Sequence, residues 1–270
     1  MKKIICAAAA AAIAASAFAF GGCSVGEAYV NYTLSEDGTY YVVSEVTGDK
    51  RGLTTYEIPA TYSPEEGAEA KPVKEIGDMA FARCNNLTSI KLPDTLEKIG
   101  KSAFIYCGLT SLEIPSSVTT ISYAAFGACD RLTEVTVPES VTTLEPLAFA
   151  YCSRLEKAVV NANVTVLQNR VFYNSVATQG GNVFTNTSLK EVHLPKSLKK
   201  IEVVVYNGYL VSPLDGNLIS DIYFAGTEAE WNGVYFYQMV LKEGKEDEYE
   251  EKVLEKDKFL PGGVKMHYGA

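Results

Sequence analysis

Leu96–Thr120 reads LEKIGKSAFIYCGLTSLEIPSSVTT, and versions of this stretch recur along the middle of the 270-residue chain. Phe81, Phe104, Phe126, Phe149 and Phe172 stand 23, 22, 23 and 23 positions apart, and Ile76, Ile99, Ile121, Leu144 and Leu167 precede them by five. A further copy carries Ile201 and Tyr206. Each aromatic is followed by an alternating segment: LTSIKLP from Leu87, LTSLEIP from Leu109, LTEVTVP from Leu132, LEKAVVN from Leu155, LKEVHLP from Leu189 and ISDIYFA from Ile219. Self-similarity at a fixed period is the mark of a repeat architecture.

A unit of about 23 residues cannot bury its apolar face alone, so neighbouring copies must stack and each supplies one layer of a continuous core. The period-2 pattern of LTSLEIP sends Leu112 and Ile114 inward and Ser111 and Glu113 outward, and successive copies are expected to align these strands in a parallel sheet. The next half turn changes period: Val118, Ile121, Ala125 and Phe126 are expected inward from a second extended piece and a helical turn. Proline after a strand ends it, because it offers the ladder no N–H.

These residues resemble the BspA-like leucine-rich repeats of bacterial cell-surface proteins. The pattern L-x-x-I-x-I-P, a spacer, V-x-x-I, then A-F and a Cys three residues on is met by Leu109, Leu112, Ile114, Pro115, Val118, Ile121, Ala125, Phe126 and Cys129. Five good copies run from about 73 to 195, and a sixth, degenerate one reaches about 224. Departures are local: Asn161 replaces the proline, Ala158 a larger aliphatic, Ser175 and Tyr209 the cysteine and Tyr206 the phenylalanine. The fold implied is α/β, mainly β: a single right-handed leucine-rich-repeat solenoid of about six turns, with parallel strands on its open face and a cap at each end. The domain reading is 1–22 signal peptide, 23–72 hairpin cap and incomplete first repeat, 73–225 repeats, and 226–270 C-terminal cap.

The leader, Met1-Lys2-Lys3 followed by an apolar run from Ile4 to Phe20, has the pattern of a secretory signal. Phe20-Gly21-Gly22-Cys23 looks like a lipoprotein box, which makes Cys23 the expected lipidation site; the competing reading is ordinary cleavage after Ala19 and simple secretion. The net charge is −9, and removing residues 1–22 takes Lys2 and Lys3 away and leaves 22 basic against 33 acidic side chains, or −11. An acidic surface argues against nucleic acid, which needs a positive footprint, and against charge-driven adhesion to anionic lipid.

Cys84, Cys107, Cys129 and Cys152 fall once per copy at one phase. Stacked strands lie about 4.7–4.9 Å apart, which fits the Cα range of a disulfide. Equivalent residues, however, have parallel Cα–Cβ vectors, which leaves their Cβ atoms wider than the roughly 3.8 Å a bridge prefers. Buried free thiols are therefore expected.

Toward the N-terminus, Ala28–Glu45 alternates around Asp37-Gly38 and reads as a hairpin, with Val30, Tyr32 and Leu34 sharing one side. The family resemblance makes it a cap leading into an incomplete strand at Leu53–Pro59. Glu65–Pro72 reads as an exposed loop. Toward the C-terminus, DIYFAGTEAEWNGV resembles the family's terminal pattern, which implies that Trp231 packs over the last layer. Thr227 with Glu230 three residues on makes a capping box. Leu241–Lys258 holds eight acidic and five basic residues and is expected as a solvated helix or mobile arm, and Val264–Tyr268 as a closing strand.

Outward strand positions are Ser89 and Lys91, Ser111 and Glu113, Glu134 and Thr136, Lys157 and Val159, Glu191 and His193, Asp221 and Tyr223. This mixture predicts neither an aromatic ladder nor an acidic cluster, so Lys91, Glu113, Thr136, Lys157, Glu191, His193 and Tyr223 stand as a hydrated face or a protein-contacting one. Copies five and six carry insertions, about 174–187 and 207–217, at the same place in the repeat. Side by side they propose Tyr173, Phe184, Tyr206 and Tyr209 as a partner-binding edge, against the alternative that they plug a decaying end of the solenoid.

With two histidines and no H-E-x-x-H, phosphate loop or G-x-S-x-G elbow, the sequence offers no catalytic, metal or cofactor site. A non-catalytic, surface-displayed, monomeric binder of a host or bacterial protein is expected. Glycan or cell-wall binding, and a structural surface protein without a ligand, are the alternatives.

Overall fold

The computed structural model describes residues 28–168, 189–206, 209–212, 214, 219–243, 248–260 and 262–269. The leader with Cys23, and Tyr173 and Phe184 of the first insertion, lie outside the described residues.

The N-terminal hairpin is β1 (Ala28–Leu34) and β2 (Tyr41–Gly48), antiparallel with a bulge at Asn31/Tyr32. The bulge breaks the strict alternation, and Leu34 is exposed instead of sharing a covered side with Val30 and Tyr32. β3 (Thr55–Glu57) is the incomplete first strand, and β4 (Thr61–Tyr62) lies antiparallel to β5 (Lys71–Ile76), which draws Lys71 and Pro72 out of the expected loop. The two extended segments of each copy then alternate as β6 (Ser89–Lys91), β7 (Lys98–Ile99), β8 (Thr120–Ile121), β9 (Glu134–Val137), β10 (Thr143–Leu144), β11 (Lys157–Val160), β12 (Val166–Leu167), β13 (Glu191–Leu194) and β14 (Lys200–Glu202). An antiparallel hairpin, β15 (Val204–Tyr206) and β16 (Tyr209–Val211), follows. β17 (Asp221–Phe224), α1 (Glu228–Asn232), β18 (Tyr235–Leu241), β19 (Tyr249–Leu254) and β20 (Lys265–Tyr268) complete the described chain.

Strands of one phase pair in parallel with those of the neighbouring copies, which makes the chain a mostly β solenoid. One side carries β2-β5-β7-β8-β10 and, after a break, β12-β14-β18. The other carries β3-β6 and then β9-β11-β13-β17-β20. The two sides break in different copies, so at least one ladder joins every pair of neighbouring copies from β3 to β20.

A third set of bonds runs through the segment expected to be a helical turn, and that segment is not helical. The N–H groups of Met79, Phe81 and Arg83 donate to the carbonyls of Lys101, Ala103 and Ile105 in the next copy, and those of Ser102, Phe104 and Tyr106 to Tyr123, Ala125 and Gly127. Every second N–H therefore points along the solenoid. The geometry requires left-handed residues two before and two after each aromatic: Met79 and Arg83, Ser102 and Tyr106, Ala124 and Ala128, Leu147 and Tyr151 have φ between 51° and 63°. A left-handed residue with a side chain costs about 1–2 kcal/mol, and one inter-copy hydrogen bond contributes about 0.5–1.5 kcal/mol net. With three such bonds for every two left-handed residues, bonding and strain are of similar size, so burial of the aromatic between each pair supplies the net stabilisation.

That burial is large. Phe81, Phe104, Phe126 and Phe149 are fully buried and stack with centroids 5.1, 5.2 and 5.3 Å apart and planes within 9°. Burying each contributes about 1.5–3 kcal/mol, with something further for offset ring pairs. The cysteines lie beside the stack, all buried and unbridged, and the Cys107, Cys129 and Cys152 thiols donate to the carbonyls of Phe81, Phe104 and Phe126. Hydrogen bonding with Cys84 and burial push the Cys107 thiol well up from its ordinary value, and Cys152 and burial do the same to Cys129.

The defining repeat departs from its own pattern. Ile114 is buried and Ser111 and Glu113 are exposed as expected, but Leu112 is only half-buried and 111–114 joins no ladder. Three positions separate Cys84 from Leu87, Cys129 from Leu132 and Cys152 from Leu155, whereas two separate Cys107 from Leu109. The single residue there is Gly108, and a Cβ on it would lie 2.1 Å from the Asn85 carbonyl oxygen. One residue short, the chain cannot both round this edge and reach the pleat in register. Keeping Leu109 and Ile114 buried is worth about 1.5–3 kcal/mol each, more than an exposed ladder bond contributes, so the ladder yields.

The C-terminal cap holds as expected at its centre. Thr227 accepts from the Glu230 N–H at 3.2 Å while Glu230 accepts from the Thr227 N–H at 2.8 Å, which closes the capping box. Trp231 is buried with its ring 5.4 Å from Phe224. The charged segment is corrected: its described parts are the end of β18, the antiparallel strand β19 and a short turn at Lys256–Lys258, in place of a helix or arm. β18 extends the β12-β14 ladder, and its free edge recruits β19 despite that strand's low apolar content.

Candidate binding surface

Register on the open sheet turns the outward residues into two rows. One runs Glu134, Lys157, Glu191, Asp221, Lys265; the other runs Thr136, Val159, His193, Tyr223, His267. The first row alternates in sign along most of its length and is internally paired: Lys157 reaches Glu191 at 2.6 Å. Each histidine is also tied to a carboxylate, His193 to Glu191 at 2.6 Å and His267 to Asp221 at 2.8 Å. Hydrogen bonds from Lys157 first, and from His193, hold the Glu191 carboxyl below the usual range, and those from His267 and Ser220 do so for Asp221.

The expectation that no aromatic ladder occupies this face is overturned. His193, Tyr223 and His267 stack with centroid separations of 4.4 and 4.2 Å and interplanar angles of 9° and 10°. The outward rows do not end at Tyr223 but continue through His267 of Val264–Tyr268, a segment whose sequence predicts only a closing strand. The alternation of Lys265-Met266-His267-Tyr268 was the available signal, because a strand that closes a parallel sheet continues its rows.

The other outward residues gather elsewhere. Lys91, Glu113 and Thr136, with Ser111 and Glu134, line a groove of about 540 Å³ where the ladder is interrupted between β6 and β9. Lys91 is paired to Glu57 across β6 and β3 at 2.7 Å. The seven open-face candidates thus divide between this groove and the continuous sheet. Of the candidate edge, Tyr206 and Tyr209 are directly opposite each other in the β15–β16 hairpin, while Tyr173 and Phe184 lie outside the described residues.

Among the described residues no group of three or more His, Cys, Asp or Glu side chains is placed to hold a metal ion, and no helix is long and apolar enough to cross a membrane. A solenoid with a strand-lined open face and, in four successive layers, one buried phenylalanine and one buried cysteine defines a leucine-rich-repeat scaffold. The chain matches the BspA type leucine rich repeat region in six copies, over residues 68–179 and 173–210, and belongs to that family. It is similar to a leucine-rich repeat protein from Bacteroides capillosus ATCC 29799, with 30% identity over 48% of this chain and 91% of that one and a TM-score of 0.41. It is also similar to the T. pallidum leucine rich repeat protein, with 21% identity, 72% and 82% coverage and a TM-score of 0.44, and to a leucine rich cell surface protein from Faecalibacterium prausnitzii A2-165, with 16% identity, 77% and 97% coverage and a TM-score of 0.20. A search of curated proteins finds no match.

Proposed function

We propose that the protein is a non-catalytic binder, exported and held at the cell surface through a lipidated Cys23, that recognises another protein with the open sheet β9-β11-β13-β17-β20. The observation that carries this reading is the His193–Tyr223–His267 stack beside a row of paired charges. Rigid aromatic groups whose ordering is already complete lose little entropy on binding, and they are the residue types that anchor protein interfaces. The geometry favours protein over glycan on this face. Sugar rings seek open aromatic faces, whereas here each ring covers its neighbour, so solvent meets mainly ring edges and polar tips. The family membership and the apolar leader support export, and membership of a leucine-rich-repeat family supports a binding role.

The test is a binding panel of extracellular-matrix and bacterial surface proteins, run with the native chain and with Tyr223→Ala. A partner that binds the native protein and loses about tenfold or more in affinity to the variant, as an interface anchor does, supports the reading. A partner whose affinity is unchanged in Tyr223→Ala, or binding only to neutral polysaccharides, overturns it. For the anchor, metabolic labelling with a fatty acid should mark the native chain and miss Cys23→Ala.

A further inference from the structure

The missing residue between Cys107 and Leu109 leaves a notch of about 360 Å³ on the edge of the solenoid. Three copies build it. Copy one contributes Arg83 and Asn85, copy three Asp130 and Arg131, and copy two the Gly108 floor and the half-exposed Tyr106. In full-length copies two residues, such as Asn85 and Asn86, fill this place. The Arg83 guanidinium carbon lies 5.7 Å from the Tyr106 ring centroid, which holds the two side chains against each other.

Two guanidiniums and one carboxylate line the notch. Several lysines elsewhere are matched across neighbouring copies, as in Lys74–Glu97, Lys98–Glu75, Lys157–Glu191 and Lys190–Glu156. Arg83 and Arg131 have no carboxylate within 4 Å among the described residues, and neither has Arg154, which follows Arg131 at the same repeat position. In a chain of net charge −9, three of the five arginines therefore stand unpaired along one edge. Guanidiniums present a planar fork suited to carboxylates. Asp130 beside them supplies an acceptor that repels a second anion but takes hydroxyl protons, and the Tyr106 ring offers apolar contact. A ligand that satisfies all of these carries one anionic group and several hydroxyls on a compact ring. The volume is at the small end of the roughly 300–1,000 Å³ of ligand clefts, a size for one or two rings.

We propose that this notch binds a uronic-acid residue of an acidic polysaccharide, with Arg83 and Arg131 on its carboxylate and Asp130 and Asn85 on its hydroxyls. The site is distinct from the open sheet and does not depend on what that face recognises.

The experiment titrates the purified chain with trigalacturonate, its methyl ester and hexaglutamate, and reads affinity by calorimetry and contact by amide chemical shifts. Trigalacturonate should bind with Kd of about 1 mM or tighter, shift the Gly108 and Asp130 amides, and weaken about tenfold or more in Arg83→Gln/Arg131→Gln, as loss of charge-assisted contacts requires. A residue inserted between Cys107 and Gly108 restores the common repeat length and should abolish binding. Since that insertion also perturbs the backbone, the double Gln variant, which changes two exposed side chains and leaves the backbone intact, decides the case, with its thermal melt measured beside that of the native chain. Tyr223→Ala should bind the sugar unchanged. Equal affinity for the ester or for hexaglutamate, undiminished binding in the double variant, or no binding of trigalacturonate at all would each overturn the proposal.

Discussion

The imidazole of His267 lies on the phenol ring of Tyr223 with centroids 4.2 Å apart, joining the last strand of the chain to the last repeat. His193 covers the opposite face of the same ring at 4.4 Å. The stack ties three strands together beyond their backbone ladder, and aromatic pairs contribute about 0.5–1.5 kcal/mol each beyond burial. Tyr223→Ala should therefore lower unfolding stability by about 1–3 kcal/mol in urea, whereas Tyr223→Phe, which keeps the ring, should stay within about 0.5 kcal/mol.

The same face sets an acid limb. Glu191 and Asp221 are depressed in the folded state, so the stability they contribute is present above the unfolded carboxylate value of about 4 and is lost as pH falls through their lower folded values. The native chain should lose stability below pH of about 4 more steeply than Glu191→Gln/Asp221→Asn does. Chemical denaturation across that range reads the difference, and parallel curves would rule these two carboxylates out as its source.

Phe104 is fully buried between Phe81 and Phe126, at 5.1 and 5.2 Å. Phe104→Ala removes a ring from the middle of the stack and should cost about 3–5 kcal/mol. Because each copy contacts only its neighbours, the loss should appear first as local protease cleavage around residues 100–110, with the C-terminal copies still protected.

Gly108 has no room for a methyl group: its Cβ would come 2.1 Å from the Asn85 carbonyl oxygen, a backbone atom that cannot swing away. Gly108→Ala should destabilise by about 1–3 kcal/mol, the range of overpacked sites. Gly262→Ala is the control, since nothing lies within 4 Å of the added carbon, and its effect should stay within about 0.5 kcal/mol.

Much of this architecture is legible in the residues. The period of Phe81, Phe104, Phe126 and Phe149 marks the core column, the alternation after each marks the open-face strands, and Thr227 with Glu230 marks the final cap. The third set of hydrogen bonds was not legible, because its left-handed positions are held by Met79, Arg83, Ser102, Tyr106, Ala124, Ala128, Leu147 and Tyr151, none of them a glycine. Tertiary packing imposes that conformation, and no local propensity announces it. The β19 strand was hidden for a related reason, since Tyr-Glu-Glu-Lys-Val-Leu has little strand character until β18 presents an unpaired edge. Of the binding surface, Glu191, His193 and Tyr223 were visible as outward positions, but their joining with His267 depends on the closing strand adding in parallel, which composition does not reveal.

A perfect repeat array is translationally symmetric, so no place along it is distinguishable from the same place one layer on. The two-position step at Cys107-Gly108-Leu109, one residue shorter than in the copies beside it, ends that equivalence. It leaves a groove on one side and a notch on the edge while the stacked rings run through undisturbed at 5.1 and 5.2 Å. The same step divides the open-side ladder into a short N-terminal part and a longer C-terminal one. That copy therefore works as an origin of coordinates, from which every other surface feature of the solenoid has a definite address.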